Sequence, residues 1–568
     1  MLEKISRVLE TDVLVIGGGA GGLWAALSAK RHLPSGRVTL VDSHMVGRTG
    51  HTAFSNAWMT AITPEDDLDA CVADIVRGNE WIAEQELIRE VLSLSYSQLL
   101  EMERMGLQFP RENGKFVRRP TRGLRVVQVL KPIGGGLEFC WVLRRALEQN
   151  GIEIVERVFV TDLLKSEDGR VGGAVGVDAR TGEFRILRAK ATIIAINSVT
   201  FRAGFVRDLT GTGPILAYRA GAALTNAEFG YLRPGNPKFY FEGITFAIQD
   251  GAKFVNADGD RFMERYDPEW ADQADVQTIS KAMVLEKKAE RTPIYLDMSL
   301  VPEEKRDDYL HSAVAWMDLF YKKLGERARI DMFEKTEYYP LYQMTKMAIK
   351  TGSDCHSRVP GLFAAGLAQA SCATHFAGFH IGACNGTGFI AGRSAAGYAG
   401  QVSHPELKEA AVASLKQRIE DSFDAREKKS DDELLVELQK LIFRYDISIL
   451  KNADRLALAL DELRGIKEKS EAFKAGHAHS FVRAQETQCM IDACELIFRA
   501  SAERRETRLS HFREDYPERD DVNWLKWVLA EERNGKPHLW TEPIPTPLVS
   551  PEVGARSPEG RGLRDVVD

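Results

Sequence analysis

The chain has 568 residues, 44% of them hydrophobic and 28% charged, with a formal net charge of -7 at pH 7. That length exceeds one ordinary domain and supports a large core, and the mildly acidic balance argues against a nucleic-acid partner. The sequence has no apolar stretch of the ~18 residues that a membrane span needs, and Met1-Leu2-Glu3-Lys4 opens no apolar signal region, so a cytoplasmic protein with no direct membrane span is expected. The first predicted strand is Val13-Leu14-Val15-Ile16. It runs into Gly17-Gly18-Gly19-Ala20-Gly21-Gly22, a G-x-G-x-x-G turn, and then into a small-residue helix over Leu23 to Ala29. A second β-branched run, Val38-Thr39-Leu40-Val41, ends on Asp42. Strand, turn, helix, strand and acidic residue in that order make a βαβ nucleotide-binding unit. Gly17, Gly19 and Gly22, with Ala20, let the backbone turn tightly and approach a pyrophosphate at the helix N-terminus. Asp42, with Ser43 beside it, stands where an acidic side chain bonds a ribose hydroxyl.

Further strands are expected over 152–155, 158–160 and 191–196. From about 229 to 345 prolines and aromatics become dense (Tyr231, Pro234, Phe239, Tyr240) and strands look short. The nucleotide-domain texture returns with Gly361-Leu362-Phe363-Ala364-Ala365-Gly366 and a helix rich in glycine and alanine over 386–400. Charged, amphipathic helices fill about 405–510, and a proline-rich tail follows Trp540. One domain is interrupted by another, as is typical of FAD folds. The expected fold is α/β. A Rossmann-like FAD-binding domain (1–228 and 346–404) carries an inserted α+β domain (229–345), then a C-terminal helical domain (405–530) and an extended tail (531–568). The 7 cysteines form no C-x-x-C pair. No iron–sulfur cluster and no other metal site is therefore expected, and the thiols read as reduced and buried.

Several segments, in order, carry a resemblance. They are Arg48-Thr49-Gly50-His51-Thr52-Ala53, residues 100–109, Asp260-Arg261-Phe262-Met263-Glu264-Arg265-Tyr266, Tyr295-Leu296-Asp297-Met298, residues 360–366 and residues 513–521. With them the chain resembles, from about 10 to 530, the flavoprotein subunits of succinate dehydrogenase and fumarate reductase, relatives of adenylylsulfate reductase α subunits. The resemblance implies FAD, a capping domain, and hydride transfer between flavin N5 and a small-molecule substrate. It also implies a separate, ferredoxin-like iron–sulfur partner. The FAD contacts it implies are Arg48, Thr49, His51, Thr52, Ser55 and Asn56, then Val160, Ala195 and Asn197, then Gly366, Gly382 and Asn385. His51 stands where members of membrane complexes link the flavin covalently, so a covalent bond through His51 is expected.

The departures bear on the substrate. Relatives acting on four-carbon dicarboxylates use a proton-shuttling Arg, and two His and a second Arg that clamp carboxylates, a task suited to a forked guanidinium. Here the shuttle position reads Val276, one His position lies near Arg233, the other reads Gln343, and the clamp Arg position reads Phe379 or His380. A substrate other than succinate or fumarate is expected. The candidate catalytic residues are His380, Arg233, His375, Gln343 and Tyr342, with Tyr240 and Lys346 as further polar groups. His375 or His380 suits a general acid or base near neutral pH, and Arg233 suits an anionic group. Leu367 replaces the Glu that usually follows Gly366, and Gln369 is a candidate substitute contact. Other readings are an adenylylsulfate-reductase-like flavoprotein, which Arg233 and Tyr240 permit although the His51 match favours the dehydrogenase branch, a non-catalytic electron-transfer flavoprotein, and an oxidase reacting directly with O2. The oligomeric state stays open between homo- and hetero-oligomer.

Overall fold

The computed structural model describes residues 6–551 apart from 197–198, 204–207, 240, 242, 311–314, 374–375, 377, 424–431 and 472. Its centre is a seven-stranded sheet. Val8–Ile16 lies parallel between Val38–Asp42 and Phe184–Ile194, and Glu153–Glu156 extends the sheet beyond Val38–Asp42. Such strands are covered on both faces, which is why Val13, Leu14 and Val15 are all fully buried in one apolar run. Phe184–Ile194 is the branch point. It pairs antiparallel with Val171–Asp178 and, at its end, parallel with Leu362–Ala364. The last parallel strand is thus supplied from far down the chain, as the interrupted pattern predicts.

The helix Ala20–His32 packs along the helix Phe379–Ala399. Glycines set the separation. A Cβ on Gly388 would lie 2.4 Å from the Gly21 carbonyl oxygen, and one on Gly392 would lie 2.2 Å from that of Ala25.

A second sheet of four antiparallel strands runs in the order Gly230–Gly235, Lys335–Thr345, Ile294–Asp297, Lys253–Val255. Phe254, Phe262, Met283 and Leu296 form its core with Val276–Lys288 and shorter helices. Lys335–Thr345 is 11 residues long, against the short strands expected there.

Helices Asp432–Ile442, Ala453–Glu471 and Ala478–Glu503 follow. The expected boundary at 530/531 falls inside a strand. Lys526–Arg533 and Lys536–Pro543 form a hairpin that joins a sheet with Leu224–Thr225 and Ala348–Ile349. Asn534 and Gly535, with φ of 52° and 75°, make the tight turn, the backbone shape that two-residue hairpins favour. Residues 531–533 and 536–543 of the expected tail are therefore paired strand. All seven cysteines are buried and none is joined by a disulfide. Among the described residues no helix is long and apolar enough to cross a membrane.

Candidate functional site

A cleft of about 930 Å³ opens at the C-terminal ends of the central strands, the usual ligand position in such sheets. Gly17 has φ 115°, and a Cβ there would lie 2.7 Å from the Ala195 carbonyl oxygen. A Cβ on Gly21 would lie 2.7 Å from Gly366 Cα, and one on Gly22 would lie 1.8 Å from the Gly17 oxygen. The glycines let the turn, the Ala195 strand end and Gly366 close together at the start of the Ala20–His32 helix. Ala20 N–H donates to Thr52 Oγ1 at 3.3 Å. The Asp42 carboxylate accepts from Gly18 N–H and His44 N–H, both at 2.7 Å, and faces the cleft. A glycine cradle, a helix N-terminus and a fixed acidic side chain fit the pyrophosphate and ribose of FAD.

Gly17, Gly19, Ala20, Asp42, Ser43, Thr49, Val160, Ala195 and Gly366 line this cleft, and His51 and Thr52 line it as well. Ser55 and Asn56 line a second, adjoining cavity instead. Gly22 is a packing residue behind the turn. Four expected contacts stand elsewhere. Arg48 is exposed, its guanidinium 5.2 Å from the Trp141 ring centroid. Gly382 packs on Thr60, 3.3 Å from where its Cβ would be. Asn385 is buried in its helix, and its backbone oxygen accepts from Gln98 Nε2 at 2.9 Å. Gln369 donates to Thr351 Oγ1 at 2.8 Å and does not reach the cleft. Asn197, His375 and Tyr240 lie outside the described residues. Asp208 and Glu486 line the cleft without a sequence signal, because they arrive from a loop and from the helix Ala478–Glu503. Glu486 is ion-paired with Arg202, and burial pushes the Asp208 carboxyl up.

The second cavity, about 1220 Å³, shares His51, Thr52, Leu367 and Cys384 with the first. The two meet at His51. Arg233, Gln343, His380 and Val276, the positions of the changed dicarboxylate residues, converge on this one cavity. Arg233 comes from Gly230–Gly235 and Gln343 from the neighbouring Lys335–Thr345. Tyr231 pairs with Met344 but Leu232 with Tyr342, so Gln343 is the extra residue of a β-bulge. The bulge turns both Gln343 and Met344 into the cavity. Tyr342, expected in the site, is on the opposite face, where its ring packs 2.4 Å from the position of a Cβ on Gly230. Val276 opens a helix capped by the Asp275 side chain, and His380 is in the first turn of Phe379–Ala399. Phe379 is fully buried core, so His380 is the residue presented at the clamp position.

Lys346 completes the cluster. Its ammonium lies 3.0 Å from His380 Nε2 and 4.8 Å from the Tyr231 ring centroid. The Tyr231 and His380 rings meet edge-on at 5.4 Å. Burial pushes Lys346 down to about 8. Burial, with the charges of Lys346 and Arg233, lowers His51 to about 4 and keeps its imidazole neutral at pH 7. Arg233 donates to the Phe241 carbonyl oxygen at 2.6 Å. Trp58 and Phe246, their ring centroids 4.7 Å apart, give the cavity wall a contiguous aromatic patch. Lys131 lies over Trp58 and Arg119 over Phe246, at 5.4 and 5.5 Å.

A family model described as "FAD binding domain" matches residues 12–386, and one described as "Fumarate reductase flavoprotein C-term" matches 436–558. The succinate dehydrogenase flavoprotein subunit of Rickettsia conorii is 27% identical, over 97% of this chain and 98% of its own. The fumarate reductase flavoprotein subunit of Haemophilus influenzae is 25% identical, over 95% of each chain. Among solved structures, an E. coli quinol fumarate reductase chain superposes with a TM-score of 0.88 at 21% identity, covering 96% of this chain and 98% of its own. Adenylylsulfate reductase from Archaeoglobus fulgidus gives 0.81 at 23% identity, covering 95% and 96%. These last two likenesses are of fold. The glycine cradle, the interrupted sheet and the family match over most of its length agree: the chain is an FAD-dependent oxidoreductase and belongs to the succinate dehydrogenase/fumarate reductase flavoprotein family.

Proposed function

We propose that this flavoprotein works in the cytoplasm, exchanging hydride with an organic substrate other than succinate or fumarate and trading electrons with a separate, ferredoxin-like iron–sulfur protein. The carrying observation is that Val276 and Gln343 line the cavity beside His51, at the positions where the resemblance requires a proton-shuttling Arg and a clamping His. Two ionisable groups needed for a dicarboxylate are replaced by an isopropyl and an amide. Bound FAD supplies hydride exchange at its N5. The chain supplies the proton. The Lys346 ammonium donates into His380 Nε2, which leaves the ring proton on Nδ1. As that proton passes to the substrate, Lys346 Nζ passes one to Nε2, so the ring stays neutral throughout and the pair works as a two-member relay. Under anaerobic conditions the holoenzyme's flavin should stay oxidised with succinate and bleach with the true substrate. Bleaching by succinate overturns the reading, and bleaching by any organic substrate rules out a non-catalytic electron-transfer role.

The proposal includes a covalent link between His51 and the flavin. His51 stands at the junction of the two cavities, and burial with the charges of Lys346 and Arg233 keeps its imidazole neutral at pH 7. Acid-precipitated protein should retain yellow, fluorescent flavin, and His51→Ala should release it. Wild-type protein that frees all its FAD loses this part of the reading. A second reading, an adenylylsulfate-reductase-like flavoprotein, draws on the Trp58–Phe246 pair flanked by Lys131 and Arg119, which suits a nucleotide sulfate. Sulfite-dependent reduction of the flavin with AMP would favour it.

A further inference from the structure

Arg122 lies on the loop between the short strands Arg119–Pro120 and Gln128–Leu130 and is 5% exposed. Its Nε, Nη1 and Nη2 have no hydrogen-bond partner among the described residues. A buried guanidinium with all its donors unsatisfied is costly, and native proteins rarely keep one without a use. The charged and polar groups it feels are Tyr231 and Arg233 of the second cavity and the carboxylates of Asp275 and Asp272. Both carboxylates are engaged elsewhere. Asp275 caps its helix through Gln277 N–H and Thr278 N–H, and Asp272 accepts from Phe254 N–H and pairs with Arg261.

The loop fixes where Arg122 sits. On one side, Val129 of Gln128–Leu130 lines the second cavity. On the other, a Cβ on Gly123 would lie 3.0 Å from Asp275 Cβ, and the next residue, Val276, is again cavity wall. The loop that carries Arg122 therefore adjoins the corner where Val276 stands in place of an arginine. A guanidinium missing from the helix is present on the adjoining loop.

We propose that Arg122, together with Arg233, is the binding site for the acidic group of the substrate, and that the substrate is an organic acid with one carboxylate and an apolar body. The body packs on Trp58, Ile244, Phe246 and Met344, and the carboxylate satisfies the donors of Arg122. This rests on the reading of the second cavity as the substrate site. A dicarboxylate would carry its second charge into the apolar part of the cavity, where burial penalises it.

The experiment titrates the FAD-loaded protein with trans-cinnamate and with its uncharged amide, following the flavin absorbance and the melting temperature. Cinnamate should perturb the flavin and bind about tenfold or more tightly than the amide, because a charge-assisted bidentate pair is lost with the amide. Arg122→Met should erase that preference and leave the amide's affinity within about twofold. It should also raise the melting temperature of the ligand-free holoenzyme, because it replaces an unpaired buried charge with an apolar side chain. A structural role predicts the opposite, a fall in melting temperature or failure to fold, with the preference intact in any folded variant. Either of those results overturns the proposal, as does a wild-type protein that does not prefer cinnamate. An Arg122-dependent rise in melting temperature with no flavin perturbation would keep the anion site and overturn the placement of the substrate beside the flavin.

Discussion

Lys346 holds its ammonium 3.0 Å from His380 Nε2, a contact between the end of the inserted sheet and the helix that returns to the nucleotide-binding domain. Lys346 follows the last long strand of the inserted sheet, and His380 opens the helix that packs against the nucleotide-binding turn. Their contact fixes the cavity at the seam between the two parts of the fold.

The pH dependence of this pair has a definite sign. Burial lowers Lys346 to about 8 from its ordinary 10.5. The unfolded chain then binds more protons between those values, so the contribution of Lys346 to stability grows as pH rises through that window and is lost as pH falls back through it. Turnover in the reducing direction runs the other way, falling as pH rises above about 8 and the relay loses its proton. Lys346→Met should remove that limb of the rate profile and lower kcat by about 100-fold, as measured by steady-state kinetics from pH 6 to about 10 once a substrate is in hand.

The bulge at Gln343 separates neighbours into different roles. Tyr342→Phe should leave kcat and KM within about twofold of wild type, because the ring packs away from the cavity. Gln343→Leu should raise KM by about tenfold, because it removes a polar group from the cavity wall. Equal effects of the two substitutions on KM would show that the strand does not carry the bulge in solution.

At the nucleotide turn, Gly22→Ala drives a methyl to 1.8 Å from the Gly17 oxygen. The strand and helix must separate, at a cost of about 1–3 kcal/mol for overpacking. The purified variant should show a reduced flavin-to-protein absorbance ratio and a lower melting temperature. An unchanged ratio would contradict the close packing described for this turn.

Away from the flavin, Arg504 and Arg508 share Glu506, all fully buried, at 2.8 and 2.7 Å, and Arg504 also pairs with Glu228 at 2.9 Å. Glu506→Ala leaves two guanidinium groups short of a carboxylate inside the protein. It should destabilise the fold by about 3–5 kcal/mol, read as a shifted midpoint in urea unfolding followed by tryptophan fluorescence.

The βαβ unit was legible because its signals are local: an apolar run, a glycine turn and Asp42 within a few dozen residues. The interrupted architecture was legible from the return of that texture at Gly361–Gly366. The cavity positions Val276, Arg233, Gln343 and His380 were readable through flanking motifs that anchor the resemblance. What failed depends on geometry that a linear pattern does not carry. Tyr342 and Gln343 looked equivalent until the bulge placed them on opposite faces. Arg48 sits in the expected motif, but it projects outward onto Trp141, 37% exposed. Arg122 looks like one basic residue among several in 118–125, and only its burial without partners sets it apart. The hairpin turn at Asn534-Gly535 is a case of the reverse kind, a strong local signal that a proline-rich reading of the tail passed over.

The cofactor cleft has one more consequence, for biosynthesis. Its walls include Gly17 from the start of the chain, Gly366 from well past the middle and Glu486 from a late helix. A nascent chain emerging from the ribosome exposes the glycine turn early, but the opposite wall of the cleft does not yet exist. The whole cleft exists only once the chain has been made through Glu486, and a fragment that stops short of Gly366, however well its first strands pair, has only half a grip on the cofactor.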